Sequence, residues 1–317
     1  MRGLVPLISL AALALAAWVL DEQLHGHTYA AIRRSIAMMP SAKIFLAIVL
    51  SLASCAVVTG YDRLALRHLG RVLSYAQTAL ASFLGSVFSR SVGLALLGPS
   101  APRLRLYAAW EVSPLEITRL VAFNSMSFWL GGVTIAGCAL LLSPSALIDL
   151  GLSSDAGRAA GAALLFVTIG YLLLASVQRS ALVVRDVEFT LPEPGIALAQ
   201  LALAVLEWST AAAALWVLLP GNVHVSFAAF LAVFVIATVA GVASGIPGGL
   251  GVFDAIVLTT LAARTTVPAA VAALIVFRAA YFLLPLAAAL LLLGGFETFE
   301  RRRSLGRIGG AVARWIP

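Results

Sequence analysis

The sequence predicts an all-α, polytopic integral membrane protein of about six spans plus two broken or re-entrant helical hairpins, about eight transmembrane segments in all. Three observations carry this. Of 317 residues, 62% are hydrophobic and only 11% charged, whereas a soluble domain is nearer one-half and one-quarter. The apolar residues gather into runs of spanning length between short polar turns, more apolar surface than a water-soluble core of this size could hide. One such run is interrupted by Gly241–Asp254, which holds five glycines and a proline. Proline lacks the amide that a helix interior needs, and glycine is the weakest ordinary helix former. A helix therefore stops near Ser244 and another begins near Val252. In hydrocarbon such a break survives only where protein covers it or where it lines a polar cavity. The restarted helix would aim free N–H groups and the positive end of its dipole at that cavity.

The remaining segments follow in order. Leu4–Leu20 resembles a secretory signal, but more membrane follows it, so it reads as an uncleaved first span. Asp21–Ala42 is polar and mildly amphipathic. Lys43–Gly60 is a second span, ended by a basic turn with Arg63, Arg67 and Arg71. Val72–Gly98 is long enough to span, yet Gly85–Ser91 interrupts it, which makes it the first broken hairpin. Glu116–Leu142, Ala159–Val177 and Ile196–Leu219 are spans. Phe227–Ala263 is the second hairpin, around the glycine break, and Val267–Leu293 is the last span. Residues 1–295 thus form a membrane domain, and 296–317 a basic cytoplasmic tail. Cys55 and Cys138 lie in apolar runs and read as two buried thiols rather than a disulfide.

Charge orients the chain. If both hairpins return to their starting side, one face receives Arg2, Arg63, Arg67, Arg71, Arg103, Arg105, Arg119, Arg179, Arg185 and the five tail arginines. The other receives Arg33, Arg34, Lys43, Arg158 and Arg264. The positive-inside rule then places both termini in the cytoplasm. No basic stretch is interleaved with exposed aromatics, so the net charge of +7 reads as membrane orientation and not as nucleic-acid binding. The four histidines make no metal spacing, and no catalytic triad, phosphate loop or cysteine cluster is present; the sequence calls for no cofactor.

A charge at the bilayer centre costs about 2.5–3.5 kcal/mol on insertion scales, so each needs a reason. Arg90, among Ser86, Ser89 and Ser91, has the fork geometry to bind a lipid phosphate; a structural pair is the alternative. Glu207 and Arg278 sit inside their spans. They read either as a salt bridge locking two helices or as contacts to a cationic and an anionic head group. Asp254, where a helix restarts, is a helix cap or a substrate contact. Asn124 is explained by hydrogen bonding between helices, and Gly241-x-x-x-Gly245 by close packing.

Four stretches together carry a resemblance. They are Tyr61-Asp62-Arg63-Leu64-Ala65-Leu66, Arg103-Leu104-Arg105-Leu106-Tyr107-Ala108-Ala109-Trp110, Gly245-Ile246-Pro247-Gly248-Gly249-Leu250-Gly251-Val252-Phe253-Asp254 and Arg278-Ala279-Ala280-Tyr281-Phe282-Leu283-Leu284-Pro285. In order and content they resemble the transmembrane flippase region of the lysylphosphatidylglycerol synthetase/flippase (multiple peptide resistance factor) family. The resemblance implies a multi-pass protein of the bacterial inner membrane that moves anionic or aminoacylated phosphatidylglycerol-type lipids between leaflets. With no aminoacyl transferase domain in the sequence, it implies a stand-alone form, or the N-terminal part of a longer protein, and a transporter rather than an enzyme. The candidate lipid-binding residues on this reading are Arg90, Arg103, Arg105, Tyr107, Glu207, Gly248, Gly249, Gly251, Asp254, Arg278 and Tyr281. The family often has Glu at the place of Asp254, His at Gly245 and Gly at Glu111, departures that bear on head-group preference. Membrane phospholipids are the implied partners, with a lipid-modifying enzyme or a second copy of the chain besides. The competing function is a non-transporting membrane scaffold for such an enzyme.

The orientation is open to test. Single cysteines at Ala101 and Ser304 are expected to resist an impermeant thiol reagent in intact cells, and ready labelling at either would overturn it.

Overall fold

The computed structural model describes residues 29–92, 101–143, 153–177, 182–184, 187–189, 191–221, 223, 225–262 and 264–295. The expected first span Leu4–Leu20, the loop residues Arg179 and Arg185, and the basic tail lie outside the described residues. The helices are α1 (Tyr29–Ala37), α2 (Ser41–His68), α3 (Tyr75–Val92), α4 (Ala101–Ala109), α5 (Pro114–Leu142), α6 (Ser154–Val177), α7 (Pro194–Trp216), α8 (Phe227–Ala243) and α9 (Val252–Ala262). The last, α10, runs over Val267–Gly295. A two-stranded antiparallel hairpin, β1 (Leu182–Val184) with β2 (Val187–Phe189), is the one departure from all-α structure among the described residues. Helices α2, α5, α6, α7 and α10 are long and apolar enough to cross a membrane. Their outward faces carry large apolar side chains, such as Phe45 and Leu52 on α2 and Phe166 and Leu173 on α6. The protein is a polytopic, helical membrane protein.

The centre of the bundle is α7, which is flanked by α2, α5 and α8. Helix α2 runs antiparallel to it. Lys43 near the start of α2 donates to the Leu219 carbonyl beyond the end of α7 at 2.5 Å, and Tyr61 near the end of α2 meets Glu207. Helix α5 runs parallel to α7, with Ser127 on Gln200 and the Phe128 carbonyl on the Trp208 indole. Close approach of these two helices depends on glycine. A Cβ at Gly131 would lie 2.7 Å from the Ala204 Cβ and 3.0 Å from its backbone carbon. Helix α6 packs antiparallel on the outer side of α5 through Gly137, Gly161 and the Thr134–Thr168 hydroxyl pair.

Two helix ends differ from the expectation. Helix α2 does not stop at Gly60 but continues to His68, because the Leu203 side chain fills the space a Cβ would take there. Asp62 is therefore inside a span and fully buried, not in a loop. The helix ends at Gly70, with φ 70° and the Arg71 amide returning to the Leu66 carbonyl. Nor does Gly85–Ser91 break α3, which is continuous to Val92. Gly85 instead makes room for Arg103 of α4, whose Nε would stand 2.6 Å from a Cβ. The break expected within the first hairpin is therefore absent, and α4 packs against the continuous α3.

Helix α5 begins with a capping box in which Ser113 and Glu116 satisfy each other's backbone amides behind Pro114. Arg71 forks onto the same Glu116 at 2.6 and 3.1 Å. Just before it, Glu111 takes φ 60°. This is a left-handed conformation that glycine adopts at no cost, and it gives a physical reason for the glycine that the resembling family often carries there.

The second hairpin follows the expected boundaries. Helix α8 ends at Ala243 with Ser244 as its C-cap, and α9 starts at Val252. Between them, Gly245, Gly248, Gly249 and Gly251 all take positive φ. The chain folds back so tightly that a Cβ on Gly249 would meet the Gly241 Cα at 3.0 Å. Helix α10 is α-helical to Arg278, π-wound over Ala279–Leu283 and α-helical again to Gly295. Pro285 has no amide for the Tyr281 carbonyl and its ring presses on that turn, a strain that the wider winding relieves.

Two large apolar cores result among the described residues, with a small cluster of Val58, Tyr61 and Ala204 between α2 and α7. One gathers α7–α10 around Trp208, Phe230, Phe234, Phe253 and Phe277. The other gathers α2–α5 around Leu66, Leu84, Leu106, Ile117 and Leu120. Cys55 is buried, but Cys138 is exposed on α5, against the expectation of two buried thiols.

Gly131→Ala is expected to destabilise the protein by about 1–3 kcal/mol, because Ala204 backbone must move. Gly170→Ala, with open space around it, is expected to be neutral. Thermal unfolding of the two variants in detergent checks the contrast.

Candidate functional site

Between the two cores lies a cavity of about 250 Å³. Its walls come from α3 and α4 (Ser86, Ser89, Arg90, Arg103), from the glycine break (Ile246, Gly248, Gly249), and from α2, α5, α7, α8 and α10. The continuous α3 with α4 and the glycine break therefore border one space. Much of the remaining wall is aromatic, including Phe128, Trp129, Trp208, Phe234, Phe277 and Phe282.

Three ion pairs surround it, the first fully buried and the other two part-buried. In the first, Asp62 of α2 accepts from Arg103 Nη2 at 2.9 Å, from the Tyr107 hydroxyl at 2.6 Å and from Asn124 Nδ2 at 2.5 Å. It ties α2, α4 and α5 together, and Arg103 also reaches the Ser86 hydroxyl at 3.4 Å. The Arg103 Nε and Asn124 Oδ1 are buried without a hydrogen-bond partner.

In the second, Glu207 of α7 accepts from the Tyr61 hydroxyl at 2.6 Å and from Arg90 Nη2 at 3.5 Å. Arg90 Nη1 donates to the Tyr281 hydroxyl at 2.6 Å, and that hydroxyl lies 3.3 Å from the Ser54 hydroxyl. The Arg90 side chain keeps 22% of its surface accessible against 7% for Glu207. Both line the cavity.

In the third, Arg278 forks onto Asp254, with Nε to Oδ1 at 3.0 Å and Nη2 to Oδ2 at 2.7 Å. Its Nη1 donates to the Gly248 carbonyl at 3.0 Å, and its guanidinium lies over the rings of Phe253 and Phe282 at 5.8 and 5.3 Å. Asp254 Oδ2 also accepts the Gly251 amide at 2.9 Å.

These pairings correct the expected Glu207–Arg278 bridge. Each residue has a different partner, because the π turn carries Tyr281 and not Arg278 to the Glu207 side, while the folded break brings Asp254 to Arg278. At the restart of α9 one backbone amide is taken within the chain. Asp254, three residues into the new helix turn, covers the Gly251 amide itself. Of the eleven candidate residues, Arg90, Arg103, Glu207, Gly248, Gly249 and Tyr281 line the cavity. Asp254, Gly251 and Arg278 hold the break behind it. Tyr107 is buried on Asp62, and Arg105 is exposed on α4, outside the lining.

Sequence reasoning passed over Tyr61 and Asp62 as site residues. The signal was present: a carboxylate two residues after Gly60 would be costly in lipid once the helix is allowed to pass that glycine.

The fold and the site define a class: a multi-pass helical membrane protein whose ion pairs surround a cavity between α3 and α4 on one side and the glycine break on the other. No protein-family model matches the chain. It belongs to the same family as an uncharacterized protein of Synechocystis sp., slr0712, to which it is 33% identical over 285 residues, 90% of this chain and 88% of that protein. The inner membrane protein YbhN of Escherichia coli is 29% identical over 208 residues, 65% of this chain and 64% of YbhN. A phosphatidylglycerol lysyltransferase of Staphylococcus aureus is 48% identical over 54 residues, which is 17% of this chain and only 6% of that much longer protein.

The pairing is open to double-mutant analysis. Glu207→Gln and Arg90→Gln are expected to couple by about 0.5–3 kcal/mol in unfolding free energy. Glu207→Gln and Arg278→Gln share no partner, and their effects are expected to add. Arg278→Gln alone strands Asp254 and is expected to cost about 3–5 kcal/mol.

Proposed function

We propose that the protein is a phospholipid translocase that moves anionic or aminoacylated phosphatidylglycerol-type lipids between leaflets of a bacterial inner membrane, with both termini in the cytoplasm. The observation that carries this reading is that Arg90 and Glu207, opposite charges on different hairpin and bundle elements, face a shared cavity with polar and aromatic walls. A lipid must pass a charged head group through hydrocarbon, and such a cavity offers a cation for the phosphate and a carboxylate for an added amine. The glycine break adds the irregular backbone that membrane proteins place only beside protein or a cavity. The names of two relatives support the same direction, one an inner membrane protein and one a phosphatidylglycerol lysyltransferase. The role is that of a transporter, with membrane lipids as partners.

The roles divide between contact and support. Arg90 takes the phosphate, Glu207 reads an amine, and Tyr281 steers Arg90. The Arg278–Asp254 pair keeps the break folded so that Gly248 and Gly249 form a wall without side chains. Reconstitution into vesicles, with head-group accessibility followed over time, tests the function. Wild-type protein is expected to move fluorescent phosphatidylglycerol. Arg90→Lys keeps the charge but loses the fork, worth about 1.5–3 kcal/mol for charge-assisted bonds and so tenfold or more in rate. Vesicles in which the wild-type protein moves no lipid would leave the scaffold reading in its place.

A further inference from the structure

We infer that translocation of an anionic lipid is coupled to protons, and that Glu207 is the group that carries them: when a phosphodiester occupies Arg90, Glu207 takes up one proton, and lipid and proton move together. The inference rests on the reading of Arg90 as the phosphate contact.

The three paired carboxylates differ in how well they are held. Asp62 accepts three bonds, from Arg103, Tyr107 and Asn124. Asp254 accepts a bidentate fork and a backbone amide. Glu207 accepts a short bond from Tyr61 and one long contact, 3.5 Å, from Arg90. Of the three pairs, this is the one whose cation and anion both line the cavity. Of the two arginines that line the cavity, Arg90 is the more accessible to an entering anion, 22% against 6% for Arg103, and its contact with its carboxylate is the longest of the three.

A phosphodiester offers the bidentate geometry that the carboxylate here does not use. Once it takes Arg90, Glu207 keeps Tyr61 alone, inside an aromatic wall. A buried carboxylate without a counter-charge binds a proton in preference to staying ionised. The charges balance. Arg90 and Glu207 together are neutral, and adding one phosphodiester charge and one proton keeps the site neutral. An O–H bond forms on a Glu207 carboxylate oxygen, the proton comes from water, and nothing is oxidised or reduced. Release of the lipid returns Arg90 to Glu207 and frees the proton.

The charged and titratable groups facing Glu207 are Tyr61 and Cys55 from α2, Arg90 from α3 and Tyr281 from α10. Arg103 lines the same cavity but is engaged by Asp62. From α5 and α8 the cavity receives Ser125, Phe128, Phe234 and Thr238, none of which titrates. Tyrosines and a thiol ordinarily hold their protons at neutral pH and arginine does not lose its own, which leaves Glu207 as the exchanging site.

The test counts protons. The full chain in detergent is titrated with dioctanoyl phosphatidylglycerol by calorimetry in two buffers of different ionisation heat, across a range of pH. Wild-type protein is expected to take up about one proton per lipid bound, and Glu207→Gln none. Should Glu207→Gln not fold, Tyr61→Phe serves, since it removes the donor that steadies the carboxylate. The acid limit of the pH range over which uptake occurs is then expected to move upward. Lipid binding with no proton uptake, undiminished uptake in Glu207→Gln, or an unshifted profile in Tyr61→Phe would each overturn the coupling, while lipid movement in vesicles would leave translocation standing. Absence of both binding and movement would remove the translocation reading, and this inference with it.

Discussion

The fork of Arg278 on Asp254, with its third arm on the Gly248 carbonyl, is the interaction on which the rest of the site depends. A turn with four left-handed glycines has little to hold it by itself, since glycine gives up more freedom on ordering than any other residue. In hydrocarbon, its loose carbonyls would add the cost of unpaired polar groups. Arg278 meets both demands at once. It supplies a donor to the break and neutralises the carboxylate that caps the following helix. Phe253 and Phe282 shelter the guanidinium from either side. The cavity floor is then backbone without Cβ atoms, flat enough for something else to approach.

The other two pairs do related work in the opposite half. Asp62, with its donors from α4 and α5, fastens α4 to the bundle, so α4 and the glycine break are each anchored by an arginine and an aspartate. The Arg90–Glu207 contact differs in kind. It is longer, closer to open space, and shared with a tyrosine from the π turn. Two tight clamps and one loose contact make a frame with a single adjustable member.

Much of this was legible in the sequence. The glycine break and both of its helix boundaries follow from Pro247 and five glycines, because backbone chemistry alone dictates them. The spans follow from apolar run length. Arg90 and Glu207 stood out because charge in lipid needs a reason. Pairing was not legible: Glu207 and Arg278 are opposite charges at similar depth, and only the three-dimensional path of the hairpins decides that each has another partner. Gly60 and Gly85 misled for a related reason. Both look like helix breakers, but each sits inside a continuous helix, where the missing Cβ admits Leu203 in one case and Arg103 in the other. The role of Pro285 is a further example, since its effect shows as winding one turn upstream and not as a stop.

That winding sets how α10 serves the two cores. Before the π turn, Ala270, Ala273, Leu274 and Phe277 face the core of α7–α9. After it, Ala289, Leu286 and Leu293 face the core of α2–α5. An unbroken α-helix would have carried the first face on through residues 284, 288 and 291. The wider turn delays the rotation by roughly one residue, about 100°, and hands the second half of the helix to the other core. Helix α10 is therefore an axle with two flats cut at different angles. Any rotation of one core about it must be matched by the other or absorbed in the five residues between them, and Tyr281, the residue that steadies Arg90, is the middle one of those five.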